Sequence, residues 1–338
     1  MIDSYRPSGP LTWILEKLPS AGQFDLIGAS ASEHRGNAVP ELLFGCGKLR
    51  NISLLAINDQ PSTYLQSSQM LRKNNFDALN STIPGLAHPF ELDLFSSLDE
   101  LDDAFDQLRP KIGENIVLDI SALPKRFFFY LVRRLDELDS IQNLIVTYSR
   151  PESYGTPLHK NPAGWDSLPS YGVSKSHKEK PMLVVAVGYH HLKLLELIQD
   201  REPRIVRLLM PFPSMPHGFA LNWDFVRNIR EQVEFKPHHI RRVDPYGVSL
   251  AFDHLIAQTA NHTGEIILAP FGPKPISLAM ALFALASEKN GGSVSVGYTQ
   301  PTSYNPNYSR GTKLDSNGNP VVHSFAVKLA GTNLYSSA

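Results

Sequence analysis

The segment IVLDISALPKRFFFYLVRRLDELDSIQNLIVTYSRPESY spans residues 116–154, and IILAPFGPKPISLAMALFALASEKNGGSVSVGYTQPTSY spans residues 266–304. The two segments align without a gap at a constant shift of 150 and share eight identities in 39 positions. In each, an apolar run leads through a turn with Pro or Gly into an apolar-periodic helix and a second apolar run. Strand, helix and strand joined by short loops form a right-handed βαβ unit. Recurrence at a fixed period predicts an internal duplication.

The same alternation of apolar runs and helical segments extends upstream in both halves. Further strands are predicted at 24–30, 52–59, 90–95, 182–189, 205–212 and 238–245, and an amphipathic helix is predicted at 98–108. Five strands alternating with helices, twice over, predict an α/β fold made of two tandem duplicated Rossmann-like units with mainly parallel sheets.

Composition places the boundaries between these units. Residues 157–180 are rich in Pro, Gly, Ser and charge, which predicts a linker or active loop between a first domain at 1–156 and a second at 181–338. The apolar segment 321–329 predicts one extra strand.

Charge and cysteine content exclude several classes of protein. The 338 residues carry 32 Lys and Arg against 33 Asp and Glu, a net charge of −1 that disfavours nucleic-acid binding. A single cysteine excludes a disulfide scaffold and a thiolate zinc cluster, and no histidine spacing typical of a metal site occurs. No apolar run approaches the ~18 residues of a membrane span, and no signal-peptide core is present. We expect a cytoplasmic protein with no metal and no membrane contact.

Loops at the carboxyl ends of the strands are where an open α/β sheet binds its ligand. The loop GASASEHRG (28–36) offers Ser30, Ser32 and Arg35 as candidates for binding a phosphate. The alternative is a structural turn in which Ser32 or Asn37 caps the next helix.

The loop PFGPKPIS (270–277) is the matching candidate in the second half. Gly272 would allow close backbone approach of a ligand, and Lys274 places a cation at a helix start, where a bound anion would compensate the helix dipole. Ser277 falls in the first helical turn. The alternative is that Lys274 simply points into water.

The equivalent loop of the first half, DISALPKRF (119–127), contains Asp119 and Ser121 ahead of two cations, Lys125 and Arg126. Asp119 would hold a ribose hydroxyl or pair with Arg126 as a structural carboxylate. Asp59, at the end of another strand, occupies the place where dinucleotide folds carry a ribose-binding acid, although aspartate is also common in turns.

A Tyr-x-x-Pro-x-x-Tyr pattern ends a strand in each half, from Tyr148 to Tyr154 and from Tyr298 to Tyr304. Aromatic rings at the mouth of a crevice can stack on nucleobases. We assign the first tyrosine of each pair to packing, and Tyr154 and Tyr304 to the rim of a pocket between the two halves.

Two of these motifs resemble those of CRISPR-associated Rossmann-fold (CARF) sensors. They are Asp119-Ile-Ser121 followed by Lys125 and Arg126, and Gly272-Pro-Lys274-Pro-Ile-Ser277-Leu-Ala. A fused pair of such units also resembles the SAVED domains of bacterial anti-phage signalling. The resemblance implies that Asp119, Ser121, Lys274 and Ser277 line a nucleotide pocket.

Three functional hypotheses follow. The first is a nucleotide-binding sensor or accessory subunit of prokaryotic anti-phage defence, with its ligand between the two halves and a protein effector as partner. The second is an enzyme acting on a nucleotide or phosphorylated metabolite, and the third is a scaffold subunit of a complex. Catalytic residues, cofactor and homo-oligomeric state stay open.

Overall fold

The computed structural model describes residues 5–18, 22–155, 162–172, 180–214, 216–234 and 236–336. The α/β fold class is confirmed, with two large and mostly parallel sheets flanked by helices. The chain divides into two compact units. Unit one comprises Met1–Phe128, Arg134–Asn161 and Pro301–Leu334, and unit two comprises Phe129–Arg133, Pro162–Gln300 and Tyr335–Ala338.

Unit one is built on a sheet in the order β1-β15-β6-β5-β2-β3-β4, with β16 paired to β15. Its strands are β1 (Ser8–Pro10), β2 (Phe24–Ser30), β3 (Leu49–Asn58), β4 (Phe90–Asp93), β5 (Asn115–Asp119), β6 (Asn143–Ser149), β15 (Val322–Leu329) and β16 (Thr332–Asn333). The five strands from β2 to β6 are parallel, and β15 runs antiparallel to β6. Every residue of β2 is buried, as expected for a strand with both faces covered.

The helices of unit one cover both faces of this sheet. They are α1 (Leu11–Lys17), α2 (Ala38–Gly45), α3 (Leu65–Thr82), α4 (Leu98–Leu108) and the two ends of α5 (Lys125–Asp136), whose middle, Phe129–Arg133, belongs to unit two. The predicted helix at 98–108 is confirmed to the residue, because Ser97 and Glu100 form a reciprocal capping box at its start. On one face, α1 and α2 pack Leu15 and Val39 against Phe24 of the sheet.

Unit two has a sheet in the order β11-β10-β9-β12-β13-β8. Its strands are β8 (Pro162–Ser167), β9 (Met182–Ala186), β10 (Ile205–Pro211), β11 (Ile240–Val243), β12 (Ile266–Pro270) and β13 (Val294–Pro301). Its helices are α6 (Leu194–Arg201), α7 (Pro216–Arg230), α8 (Val248–Thr259) and α9 (Lys274–Lys289). The five strands from β9 to β13 repeat the 3-2-1-4-5 order of β2 to β6 in unit one. The duplication itself stays a prediction, which this shared order supports.

Two segments differ from the predicted domain boundaries. Residues 162–167, placed in the linker, form β8 at the edge of the second sheet, while 156–161 and 173–179 lie outside the described residues. The extra strand predicted at 321–329 exists as β15, but it joins the sheet of unit one. It covers the edge of β6, whose backbone groups would otherwise lack a strand partner on that side. The second unit is therefore not continuous from 181 to 338, because Pro301–Leu334 belong to unit one.

Candidate functional site

The switch point of the first sheet lies between β2 and β5, because the later strands β3 and β4 continue on one side and β6 on the other. Loops leaving adjacent strands there diverge and open a crevice at the carboxyl edge. Ser30 ends β2, and Ser32 and Arg35 follow in the next loop. Ser121 lies in the loop after β5, and Lys125 begins α5. The fold thus brings the two predicted loops of the first half together.

Arg35 is the centre of this edge, with only 4% of its surface exposed. A 3₁₀ turn at His34–Asn37 carries the side chain inward. Nε and Nη2 each lie 2.8 Å from Oε2 of Glu33, and Nη1 donates to the carbonyl of Ser149 at 2.9 Å. Nε also lies 3.3 Å from the Ser309 hydroxyl. Burial is the largest single influence on the pKa of Arg35 and would lower it, but the charge and hydrogen bond of Glu33, together with Tyr148 and Tyr154, outweigh burial and raise the pKa overall.

A chain of three tyrosines begins at this guanidinium. The Arg35 guanidinium carbon lies 5.3 Å from the ring centroid of Tyr148, whose hydroxyl is 3.1 Å from that of Tyr154. The ring of Tyr154 packs on Tyr308 at a centroid distance of 5.2 Å. Tyr154 keeps 44% of its surface exposed, so its ring reaches solvent while its hydroxyl points into the cluster. Burial of that hydroxyl beside Tyr148 and Tyr308 raises its pKa.

A short two-stranded ribbon positions the outer part of this cluster. It pairs β7 (Ser153–Tyr154) with β14 (Ser309–Arg310), from segments more than 150 residues apart in the chain. The Ser309 hydroxyl donates to Oε2 of Glu33 and so links the ribbon to the Arg35 ion pair. Segment 301–310 therefore completes the site of unit one.

Asp119 lies beneath this layer at the end of β5 and is 1% exposed. Its Oδ1 accepts hydrogen bonds from the Ser121 hydroxyl, from the Ser121 backbone N–H at 3.1 Å, and from the Thr147 hydroxyl at 3.2 Å. The Ser121 hydroxyl in turn accepts from the N–H of Ser149 at 2.7 Å. Burial raises the pKa of Asp119 to about 6, although these hydrogen bonds and Arg35 oppose the shift.

The raised pKa gives a prediction for stability. Near pH 5 folded Asp119 holds a proton that an unfolded aspartate has lost, so this group stabilises the fold less as pH rises through about 6. Between pH 5.0 and 7.5 the free energy of unfolding of the wild type, measured in urea relative to that of Asp119→Asn, should fall by about 1.4 kcal/mol. Asp77→Asn, at an exposed carboxylate, is the control. A wild-type–variant difference that is equal at both pH values would contradict the prediction.

The remaining predicted residues of the first half take varied places. Asp59 accepts from the backbone N–H of Tyr304 at 3.1 Å, and burial raises its pKa, so these two predicted residues do meet. Ser30 is buried at the end of β2, and Lys125 is buried at the start of α5. Arg126 donates to the carbonyl of Ser96 at 2.6 Å.

The loop after β2 is held by α3. The amide of Asn75 donates to the carbonyls of Ala31 and Ser32 at 2.9 and 3.0 Å, and Asn37 donates back to the Asn75 carbonyl at 2.8 Å. Asn37 does occupy the N-cap position of α2, but its side chain makes no capping hydrogen bond. The loop is thereby fixed in place on the side of α3.

The residues predicted in the second half lie in unit two, at the start of α9. A Cβ on Gly272 would lie 2.9 Å from the Val187 carbonyl oxygen, so this glycine accommodates the protein's own backbone. Lys274 is half-buried as the first residue of α9, and the Ser277 hydroxyl donates to the Pro273 carbonyl at 3.1 Å. The close approach predicted for a ligand at Gly272 is therefore made by the loop after β9.

Five residues of the Arg35 cluster escaped the sequence analysis: Glu33, Tyr148, Ser149, Tyr308 and Ser309. Tyr148 was assigned to packing alone. Glu33 lies inside the loop 28–36, in which only Ser30, Ser32 and Arg35 were considered for binding a phosphate. Tyr308 and Ser309 follow the second repeat and join unit one through the pairing of β14 with β7, which no local sequence pattern predicts. Their contribution depends on tertiary contacts.

Comparisons of the chain with protein-family models and with curated proteins gave no match. Within the described ranges, no three His, Cys, Asp or Glu side chains lie close enough to hold a metal ion. No helix in that same part of the chain is long and apolar enough to cross a membrane.

Proposed function

We propose that this chain is a nucleotide-binding sensor or accessory subunit that holds a ligand phosphate on Arg35 at the carboxyl edge of the first sheet. The main support is an ion pair: the Arg35 guanidinium is almost fully buried at the switch point and already binds an anion, the carboxylate of Glu33. Glu33 keeps 23% of its side chain exposed, so an incoming phosphate can take its place from the solvent side. A planar guanidinium suits a phosphate as well as a carboxylate.

The exposed ring of Tyr154 favours a nucleotide, rather than inorganic phosphate, as the ligand of this site. Its ring is the exposed aromatic member of the cluster and packs beside Tyr308, which gives a nucleobase a surface for stacking. Asp119, whose pKa is raised to about 6, is buried and hydrogen-bonded to Ser121 and Thr147. This burial favours a sensor over an enzyme that would use Asp119 as its acid or base. The role in anti-phage defence, with an effector partner, rests on the CARF and SAVED resemblance.

The sharpest test is Glu33→Gln, which removes the competing charge and keeps a side chain of the same shape. We expect the affinity for the bound nucleotide to rise about three- to tenfold, because the phosphate no longer displaces a carboxylate. Binding would be measured by calorimetry after a thermal-shift screen of AMP, ATP, cyclic oligonucleotides and inorganic phosphate. Glu91→Gln is the matched control, since Glu91 lies 3.8 Å from Arg72 with 59% exposure.

The same samples distinguish the alternatives. Nucleotide recovered intact after incubation supports a sensor, and consumed nucleotide indicates an enzyme. Unchanged affinity in Glu33→Gln, or a screen in which no probe raises the melting temperature, would remove Arg35 as a phosphate site and leave the scaffold hypothesis.

A further inference from the structure

An exposed aromatic surface in unit two lies beside the edge strand of its sheet. Phe212, directly after β10, is 43% exposed, and Trp223 on α7 is 37% exposed. Phe219, one helical turn before Trp223, connects them at ring-centroid distances of 6.5 and 6.1 Å. Phe219 also packs against the core, which anchors the three rings. We call these rings the aromatic row.

Arginines flank the aromatic row on both sides. On β11 the guanidinium carbon of Arg242 lies 5.1 Å from the ring centroid of Phe212, and Arg242 pairs in register with Met210. On α7 Arg230 follows Trp223 by seven residues and therefore lies on the same helix face. Arg230 and Arg242 are both exposed, and neither forms an ion pair with any residue that the structure describes. Their charges are available to a ligand.

The surrounding segment concentrates positive charge that the chain as a whole lacks. Residues 204–244 contain seven Lys and Arg against four Asp and Glu, whereas the complete sequence has a net charge of −1. Part of this positive charge lies close to His239. Burial lowers the pKa of His239, and the charges of Arg207, His238 and Lys236 lower it further. Positive charge is therefore concentrated in this part of unit two.

We propose that the aromatic row with Arg230 and Arg242 binds single-stranded nucleic acid, with a base stacked on Trp223 or Phe212 and phosphates on the two arginines. Exposed rings interleaved with unpaired cations match the stacking and charge that single strands require. A duplex hides its base faces and could use only the cations. The net charge of −1 disfavours nucleic-acid binding by the chain as a whole, but β11 and α7 place Arg242 and Arg230 on the same surface as the rings. This proposal is independent of the one for Arg35.

The test is the fluorescence anisotropy of a labelled 15-nucleotide oligothymidine, with a duplex of equal length as the comparison. We expect the single strand to bind at 50 mM salt, the duplex to bind more weakly, and the affinity to fall as salt rises. Trp223→Ala should weaken single-strand binding roughly 5- to 150-fold, the range for loss of one stacked base. Trp13→Ala is the matched control, since Trp13 in unit one is also 37% exposed.

Two further measurements protect the result against a folding artefact. Arg242→Gln should lower the affinity and reduce the slope of log affinity against log salt by about one. In a Trp13→Phe/Trp165→Phe background, Trp223 emission should be quenched by the oligonucleotide. Absence of single-strand binding at 50 mM salt, equal binding of the duplex, or equal losses in Trp223→Ala and Trp13→Ala would each overturn the proposal. In those cases a protein partner becomes the better occupant of the surface.

Discussion

Arg35→Met is expected to lower the free energy of unfolding by about 3–5 kcal/mol, the usual cost of removing one partner from a buried ion pair. The substitution would leave the Glu33 carboxylate without its cation and the Ser149 carbonyl without its Nη1 donor. Methionine fills a similar volume, so the loss would report charge and hydrogen bonding more than packing. Urea unfolding followed by circular dichroism would measure it.

Arg227→Met provides the matched comparison. Arg227 also pairs with a carboxylate, that of Asp224, but its side chain is 72% exposed, so the expected loss is below about 1 kcal/mol. Adding Glu33→Gln to Arg35→Met should recover part of the lost stability, because residue 33 then no longer carries a negative charge that has lost its cation. Equal small losses for Arg35→Met and Arg227→Met would show that the buried pair contributes no more than a surface pair.

Gly188→Ala is expected to destabilise the protein by about 3 kcal/mol or more. A Cβ at position 188 would lie well inside 3.0 Å of the Phe271 carbonyl oxygen and 2.8 Å from its carbonyl carbon. The obstacle is backbone, so it cannot turn aside as a flexible side chain would. The Gly188 carbonyl is also held by the amide of the buried Asn222 at 2.9 Å. Overpacking of this kind typically costs 1–3 kcal/mol, and rigid neighbours place it at or beyond the upper end.

Thermal melting of Gly188→Ala beside Gly164→Ala would check this expectation. Gly164 lies on β8 of the same unit, and a Cβ there would meet no atom within 4 Å. The alanine at 164 should leave the melting temperature nearly unchanged, while the alanine at 188 lowers it by many degrees. A melting temperature for Gly188→Ala close to that of the wild type would mean that the loops after β9 and β12 pack less closely than described.

Local signals in the sequence were sufficient for the elements that pack through their own periodicity. The apolar run 24–30 became β2 without a shift, and the amphipathic helix 98–108 became α4 with the predicted bounds. Both depend on burial of neighbouring residues, which the sequence records directly. Pairings between distant segments leave no such record. The ribbon of β7 and β14 and the strand β8 were therefore missed.

The residues of the candidate site likewise divide into those that local sequence patterns predict and those that depend on contacts between distant segments. Arg35, Asp119 and Ser121 were chosen because they follow strands, and parallel strands deliver their carboxyl ends to one edge. Glu33 and Ser309 could not be foreseen as partners of Arg35, because that requires the conformation of the loop and the return of the chain. Gly272 was assigned to a ligand although its space is occupied by Val187, since a glycine has the same signature in both situations.

The course of the chain through β15 has a consequence for biosynthesis. Unit two lies almost entirely between residues 162 and 300, inside the sequence of unit one, whose sheet gains β15 only at Val322–Leu329. A nascent chain emerging from the ribosome therefore exposes nearly all of unit two before β15 of unit one exists. During that interval β6 of unit one lacks its partner strand β15. The inserted unit can therefore fold first and the enclosing unit last.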